Sequence, residues 1–195
     1  MFVKICGMNS EEAVAAAVRA GADAIGFVFA ESPREVTPER AKALCQHLPG
    51  HVVRVAVMRH PQRERWQQVL DVFAPDWLQT DALDLPAIPL PTGCTALPVY
   101  RNGSTPADTD LPDRLLFEGA ASGAGRLADW DEAQGLSRVA EVILAGGLTP
   151  ENVTDAIRFV KPWGVDVSSG VERTRGEKDP AKIEEFVARV RALQE

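Results

Sequence analysis

Val142-Ile143-Leu144-Ala145-Gly146-Gly147-Leu148-Thr149-Pro150 and, after one intervening segment, Gly164-Val165-Asp166-Val167-Ser168-Ser169-Gly170-Val171-Glu172 are the stretches whose reading decides the fold. Each is a short apolar run that ends in small residues. A run of that length and composition reads as a buried parallel strand. Glycine and serine at its C-terminal end let backbone N–H groups approach an anion with no Cβ in the way. Taken singly, each set of glycines is explained equally well by a tight turn. Two in tandem point to a phosphate cradle, and in an eight-stranded α/β barrel the loops after strands seven and eight are where phosphate commonly sits.

Working outward from that pair, six more strands are expected before it: residues 2–6, 24–29, 52–58, 77–80, 95–100 and 115–118. The two opening stretches supply strands at 142–145 and 165–167. Helices are expected at 9–19, from Thr37-Pro38-Glu39 onward, at 61–73, at 131–140 despite Gly135, from Thr149 to about residue 159, and at 179–193. Asn9 or Ser10 caps the first with acids behind it, and Gly21 stops it. Pro38 suits the first position of the second. Between Asp81 and Gly93 three prolines leave room for only a brief helix. The polar stretch 102–113 reads as loop. Eight strands mostly alternating with helices predict an α/β fold, a (βα)8 TIM barrel in one domain spanning 1–195, with its site at the strand C-termini. Without the thin fourth and fifth units the pattern would be a doubly wound open sheet, whose ligand also sits at strand C-termini.

A net charge of −7 argues against binding nucleic acid or an anionic membrane, both of which need a basic surface. A small anionic partner is compatible with it, because a local set of amides and arginines outweighs the global sign. Three cysteines, Cys6, Cys45 and Cys94, show no CxxC spacing and suit reduced thiols in a cytoplasm. His47, His51 and His60 form no metal-ligand pattern, so no metal site is expected. The first strand begins without the apolar core of a signal peptide, and no run approaches membrane-spanning length. Oligomeric state is not encoded in any of these features.

On the barrel reading, Cys6, Arg34, Glu118 and the glycine-serine cradle share one face. A thiolate and a carboxylic acid on either side of a phosphate ester form an acid–base pair, one group taking a proton and one giving it. Lys4 and Arg34 are the candidate cations that would favour the thiolate. Cys6 is equally readable as a small buried core residue. Glu118 follows an apolar strand and precedes the small-residue loop Gly119–Gly125, where packing does not call for a carboxylate; it is either an acid or a partner for an arginine. Arg34 is either a bidentate clamp for an anion or a solvated loop residue. Asp166 faces into or out of the barrel, and facing inward it would orient other side chains. Trp66 and Trp77 read as core or helix–barrel packing.

Lys4-Ile5-Cys6-Gly7, Gly26-Phe27-Val28-Phe29 with Ser32-Pro33-Arg34, Leu144–Val153 and Gly164–Glu172 together resemble the phosphoribosylanthranilate isomerase family of tryptophan biosynthesis, in order and in spacing. The resemblance implies a small (βα)8 barrel that converts N-(5-phosphoribosyl)anthranilate to 1-(2-carboxyphenylamino)-1-deoxyribulose 5-phosphate by an Amadori rearrangement, with no metal or organic cofactor. It implies Cys6 as base, Glu118 at the position of the acid, and Arg34 at the anthranilate carboxylate. Gly146, Gly147, Ser169 and Gly170 would hold the phosphate, with Lys4, Gln79, Asp166 and Ser168 around the substrate. Two positions depart from the family pattern. The family's acid is an aspartate where this chain has Glu118, and after the fourth strand a family Gln-Leu-His-Gly is replaced by Gln79-Thr80-Asp81-Ala82. A paralogue acting on another phosphorylated aminosugar, or a barrel that binds a sugar phosphate without turnover, would share the cradle.

Overall fold

Eight short strands pair side by side in sequence order and close on themselves. They are β1 (Phe2–Cys6), β2 (Ala24–Val28), β3 (Val53–Val57), β4 (Trp77–Asp81), β5 (Thr95–Arg101), β6 (Arg114–Glu118), β7 (Glu141–Leu144) and β8 (Gly164–Val167), and every pairing around the ring is parallel. The computed structural model describes residues 1–105, 111–119 and 127–193. Among the described residues six helices pack outside: α1 (Glu11–Ala20), α2 (Pro38–Leu44), α3 (Arg63–Val72), α4 (Trp130–Leu136), α5 (Val153–Val160) and α6 (Pro180–Arg191). The closed ring settles the choice between barrel and open sheet.

The local signals act as their chemistry requires. Ser10 Oγ accepts the Ala13 N–H at the start of α1, and Gly21 ends the helix in a left-handed conformation. Thr37 caps α2, with Pro38 at its first position. Helix α4 is shorter than expected and stops at Leu136, where Ser137 Oγ turns back onto the Ala133 carbonyl at 2.8 Å. After β4 the prolines leave only a single turn of 3-10 helix at Leu85–Ala87. Residues 102–105 and 111–113 are not helical, while 106–110 lie outside the described residues. Ala96, Pro98 and Tyr100 on the outer face of β5 therefore line a broad depression of about 1230 Å³, which holds none of the expected site residues.

Strand alternation divides the core into two layers. Val3 and Ile5 face the helices and join the large outer cluster, whereas Leu97, Val99, Leu116, Ile143 and Ala145 fill the inside of the ring. The N-terminal end of the barrel is plugged by Phe2, which stacks on Trp77 at 5.3 Å and Trp163 at 4.7 Å, and the Arg114 guanidinium sits 4.1 Å over the Trp163 ring. Trp77 is thus an interior plug, while Trp66 belongs to the outer core. With that end closed by aromatic rings, polar inward-facing residues collect at the other, where the strands end.

Candidate active site

Alternation brings Cys6, Gln79, Asp81, Arg101, Glu118 and Asp166 to the C-terminal end of the ring, around a cavity of about 230 Å³ also lined by Arg34, Arg59, Ser168 and Arg175. Cys6, Arg34, Gln79, Glu118, Asp166 and Ser168 are thereby brought together as the sequence suggested. Gly146, Gly147, Ser169 and Gly170 stand in the two adjoining loops. The stretch Ala120–Gly125, most of the small-residue loop after Glu118, lies outside the described residues.

Asp166 points inward. It is opposite Lys4 in the β1–β8 ladder, and its Oδ1 lies 2.6 Å from Lys4 Nζ. Lys4 is fully buried beneath Cys6, so it acts on the cavity through its two neighbours and makes no part of the cavity wall. Burial opposes its positive charge, but Asp166 and Cys6 outweigh that and raise its pKa, keeping the ammonium charged.

Cys6 is buried as well, and its thiol departs from the expectation of an easily formed thiolate. Burial pushes its pKa up; Lys4 and Lys178 pull it down, while Asp166 adds to the rise, and the net direction is upward. Lys178, not Arg34, is the second cation acting on the sulfur. Gly26 in the neighbouring strand makes the room: a Cβ there would stand 3.0 Å from Cys6 Sγ and 3.3 Å from Lys4 Nζ.

Arg34 is neither solvated nor a free fork. It is buried, and its Nε and Nη2 donate to the two oxygens of Glu172 at 2.6 and 3.0 Å. The bidentate edge expected for a ligand is therefore already used inside the protein, and among the described residues Nη1 makes no hydrogen bond, while Arg34 lines the cavity. Glu172 also accepts from Lys178 Nζ at 3.0 Å and from the Gly176 N–H at 3.0 Å. These residues belong to a short antiparallel hairpin, β9 (Glu172–Thr174) with β10 (Glu177–Lys178), that follows the barrel and was not foreseen. The Arg175-Gly176 turn in a run of charged residues is the one sequence signal for it. Lys178 Nζ reaches back to the Ser168 carbonyl at 2.8 Å, so the hairpin ties the end of β8 to the Arg34 loop.

Burial alone would raise the Glu172 carboxyl, but hydrogen bonds from Arg34 and Gly176 and the charge of Lys178 prevail and hold its pKa down at about 2. An unfolded glutamate titrates near pH 4.3. The folded state thus binds the proton less readily than the unfolded state, so Glu172 contributes stability that is full above about pH 4.3 and is lost as the pH falls toward 2. Melting temperatures taken across that window should decline less steeply for Glu172→Gln than for the parent. Parallel curves would show that Glu172 does not govern the acid limb.

The two cradle loops touch. A Cβ on Gly170 would lie 1.9 Å from the Leu148 carbonyl oxygen, an impossible contact, so only glycine lets the loop after β8 close against the loop after β7. Asn152 clamps the latter loop, accepting from the Thr149 N–H and donating to the Gly147 carbonyl. Among the described residues the N–H groups of Gly146 and Gly147 have no protein acceptor, which leaves them for an anion. Gln79 Oε1 is likewise buried without a partner, at the cavity wall.

At the far wall Arg101 and Glu118 are opposite one another in the β5–β6 ladder, with Arg101 Nη2 2.9 Å from Glu118 Oε1. Arg101 Nη1 also contacts Asp81 Oδ1 at the end of β4. Asp81 is thus matched by a cation and does not face the cavity as a bare anion. On its other side His60 Nε2 lies 3.2 Å from Asp81 Oδ2, and His60 Nδ1 lies 3.2 Å from Asp84 Oδ1. These three are the one trio among the described residues with metal-ligating atoms grouped within 4.8 Å. Asp84 also accepts from the His60 backbone N–H and from Thr80, whereas Asp81 Oδ2 is buried without a hydrogen-bond partner among the described residues.

The N-(5'phosphoribosyl)anthranilate (PRA) isomerase family matches residues 3–189. An N-(5'-phosphoribosyl)anthranilate isomerase of Streptococcus pneumoniae (strain Hungary19A-6) is 41% identical over 196 aligned residues, covering 97% of this chain and 95% of that protein. The crystal structure of the phosphoribosyl anthranilate isomerase from Thermus thermophilus superposes with a TM-score of 0.86 at 30% identity, covering 99% of this chain and 100% of the other. A further phosphoribosyl anthranilate isomerase, solved in complex with reduced 1-(o-carboxyphenylamino)-1-deoxyribulose 5-phosphate, gives a TM-score of 0.80 at 28% identity over 98% of this chain and 99% of that one.

Proposed function

Because the chain belongs to the phosphoribosylanthranilate isomerase family and is an isomerase of tryptophan biosynthesis, we propose that Cys6 and Glu118 are its base and acid across the cavity at the strand ends. The observation that carries this reading is that a buried thiol and a carboxyl group, three strands apart around the ring, line one cavity beside two loops with unspent N–H groups.

The substrate N-(5-phosphoribosyl)anthranilate carries a phosphate at one end and a benzoate at the other. The Gly146–Gly147 and Ser169–Gly170 loops take the phosphate, and Arg34 Nη1 takes the anthranilate carboxylate from the opposite side. Gln79 Oε1 offers an acceptor to a hydroxyl or amine of the substrate. A relative's complex with a reduced product analogue supports a phosphorylated ligand of this length.

Held in that way, the substrate reacts by proton transfers alone. Glu118 protonates the furanose ring oxygen; the C1′–O bond breaks, and the anilino nitrogen lone pair forms the C1′=N Schiff base. Cys6 as thiolate removes the C2′ proton, the C–H electrons become the C1′=C2′ bond, and the C1′=N π pair returns to nitrogen, giving an enolamine. Ketonisation adds a proton at C1′ and releases the one on the C2′ hydroxyl, so the product is an isomer of the substrate. Lys4, fixed by Asp166, supplies positive charge under the thiolate as it forms. Ser168 and Lys178 hold the end of β8 that carries the cradle. We place the protein in the cytoplasm, in keeping with its reduced cysteines and the lack, among described residues, of a helix long and apolar enough to cross a membrane.

The test is turnover of freshly generated phosphoribosylanthranilate by the purified protein, coupled to the next enzyme of the pathway, over a range of pH. Turnover with a bell-shaped profile is expected. Phosphate-ester binding with no turnover would overturn the acid–base assignment.

A further inference from the structure

Asp81, Arg101 and their neighbours have no part in the mechanism above, yet they touch one of its two reacting groups. Arg101 is the partner of Glu118 in the β5–β6 ladder, and Asp81 ends the next strand on the other side of Arg101, opposite Val99. One guanidinium therefore serves two carboxylates, through Nη1 on Asp81 Oδ1 and Nη2 on Glu118 Oε1. Asp81 is buried, its side chain 7% exposed, and Glu118 is nearly so at 13%. Charges held this far from water act on each other with little screening.

A lone arginine beside Glu118 would be a handicap. It would hold the carboxyl in place, but it would also favour the carboxylate, which has no proton to give. The acid step needs the opposite form. Asp81 resolves that conflict, because its negative charge cancels the guanidinium, and Glu118 then meets a nearly neutral couple that still donates a hydrogen bond. We propose that Asp81 is a positioning residue for the isomerisation: it anchors and neutralises Arg101, so that Glu118 is held by the guanidinium without being locked as an anion. The proposal rests on the reading of Glu118 as the acid. It also joins the two departures from the family pattern, since the longer acid and the aspartate after β4 meet on the same arginine.

Other charges face this group and have to be counted. Arg34, Arg59 and Arg175 line the same cavity from the loops after β2 and β3 and from the hairpin, and Glu31 lines it too. The Lys4–Asp166 pair lies under Cys6 between β1 and β8. His60 and Asp84 stand behind Asp81, with the His60 side chain 63% exposed and so screened by solvent. Replacing Asp81 by asparagine keeps its shape and leaves all of these in place.

The consequence is readable in a pH profile. The reactive form has Cys6 as thiolate and Glu118 protonated. Burial pushes the Cys6 thiol up, so the carboxyl titrates first and the profile is a plateau between an acidic limb set by Glu118 and an alkaline limb set by Cys6. The height of such a plateau depends only on the separation of the two limbs. In Asp81→Asn the acidic limb is expected to move to lower pH by about one unit and the plateau of kcat to fall by the same factor, about tenfold. In the double variant Asp81→Asn with Arg101→Gln the couple is neutral again, and the limb should return toward its original position.

Three results would overturn the proposal. They are an Asp81→Asn profile that superposes on the parent, a loss of kcat with the limb unmoved in a variant that melts like the parent, and a limb that shifts equally in His60→Gln. Glu118→Gln, measured alongside, separates the two readings. Full activity in Glu118→Gln would remove the acid assignment itself; an inactive Glu118→Gln with an unmoved limb in Asp81→Asn would remove only the role of Asp81.

Discussion

Cys6→Ala is expected to lower kcat by about 10²- to 10⁴-fold, the range lost when a positioned general base is removed, while KM for phosphoribosylanthranilate changes little. The split follows from where the sulfur is. Cys6 lies at the cavity wall on the last residue of β1, whereas the anion-binding groups belong to the loops after β2, β7 and β8. Removing the sulfur leaves Arg34, the cradle and the Lys4–Asp166 pair where they were, so binding should survive without the base. Cys6→Ser should be nearly as impaired, because a hydroxyl fills the space and ionises far less readily than a thiol. Folding should be intact in both, since the adjoining strand already accommodates a larger group through Gly26, and a circular dichroism melt would confirm that. Alkylation of the parent thiol should be slow at neutral pH and quicken as the pH rises, because burial holds the thiol protonated. Full turnover by Cys6→Ala would remove the base assignment.

The sequence carried the ring of strands far better than the bonds across its mouth. Strand identity is a local property: apolar runs such as Leu115–Phe117 and Val142–Leu144 announce themselves, and glycine and proline mark their ends. Which face each residue takes follows from alternation once the barrel is accepted, and that places Cys6, Gln79 and Glu118 on one end. The direction of Asp166 needed the β1–β8 register, which sets it against Lys4 at a separation of 162 residues. The pairing of Arg34 with Glu172 spans 138 residues and depends on a hairpin with little sequence signature. Arg101 and Glu118 are likewise joined only by the register of neighbouring strands. Burial was equally hidden: a cation beside Cys6 suggests a lowered thiol, and only the depth of the site shows that desolvation prevails.

Glu118→Gln is expected to lose about 10²- to 10⁴-fold in kcat, since the amide keeps the shape and the contact with Arg101 but has no acidic proton to deliver to the ring oxygen. Glu118→Asp should fall well short of that loss. It restores the carboxyl that the family carries at this position, one methylene nearer the backbone. That retraction draws the acid away from an arginine it now meets at 2.9 Å, and a misplacement of about 1 Å can cost about a hundredfold. The aspartate variant should therefore lie between the parent and the glutamine variant, and its deficit measures how far the pose depends on the longer side chain. Equal loss in both variants would mean that position matters as much as the proton, and that Arg101 holds a carboxyl only glutamate can place. Aspartate matching the parent would mean that the substrate, not the arginine, sets the geometry of proton transfer. Parent-like activity in Glu118→Gln would move the acid to another group on the cavity wall, and Asp81, the other carboxyl group on Arg101, would be the first to test.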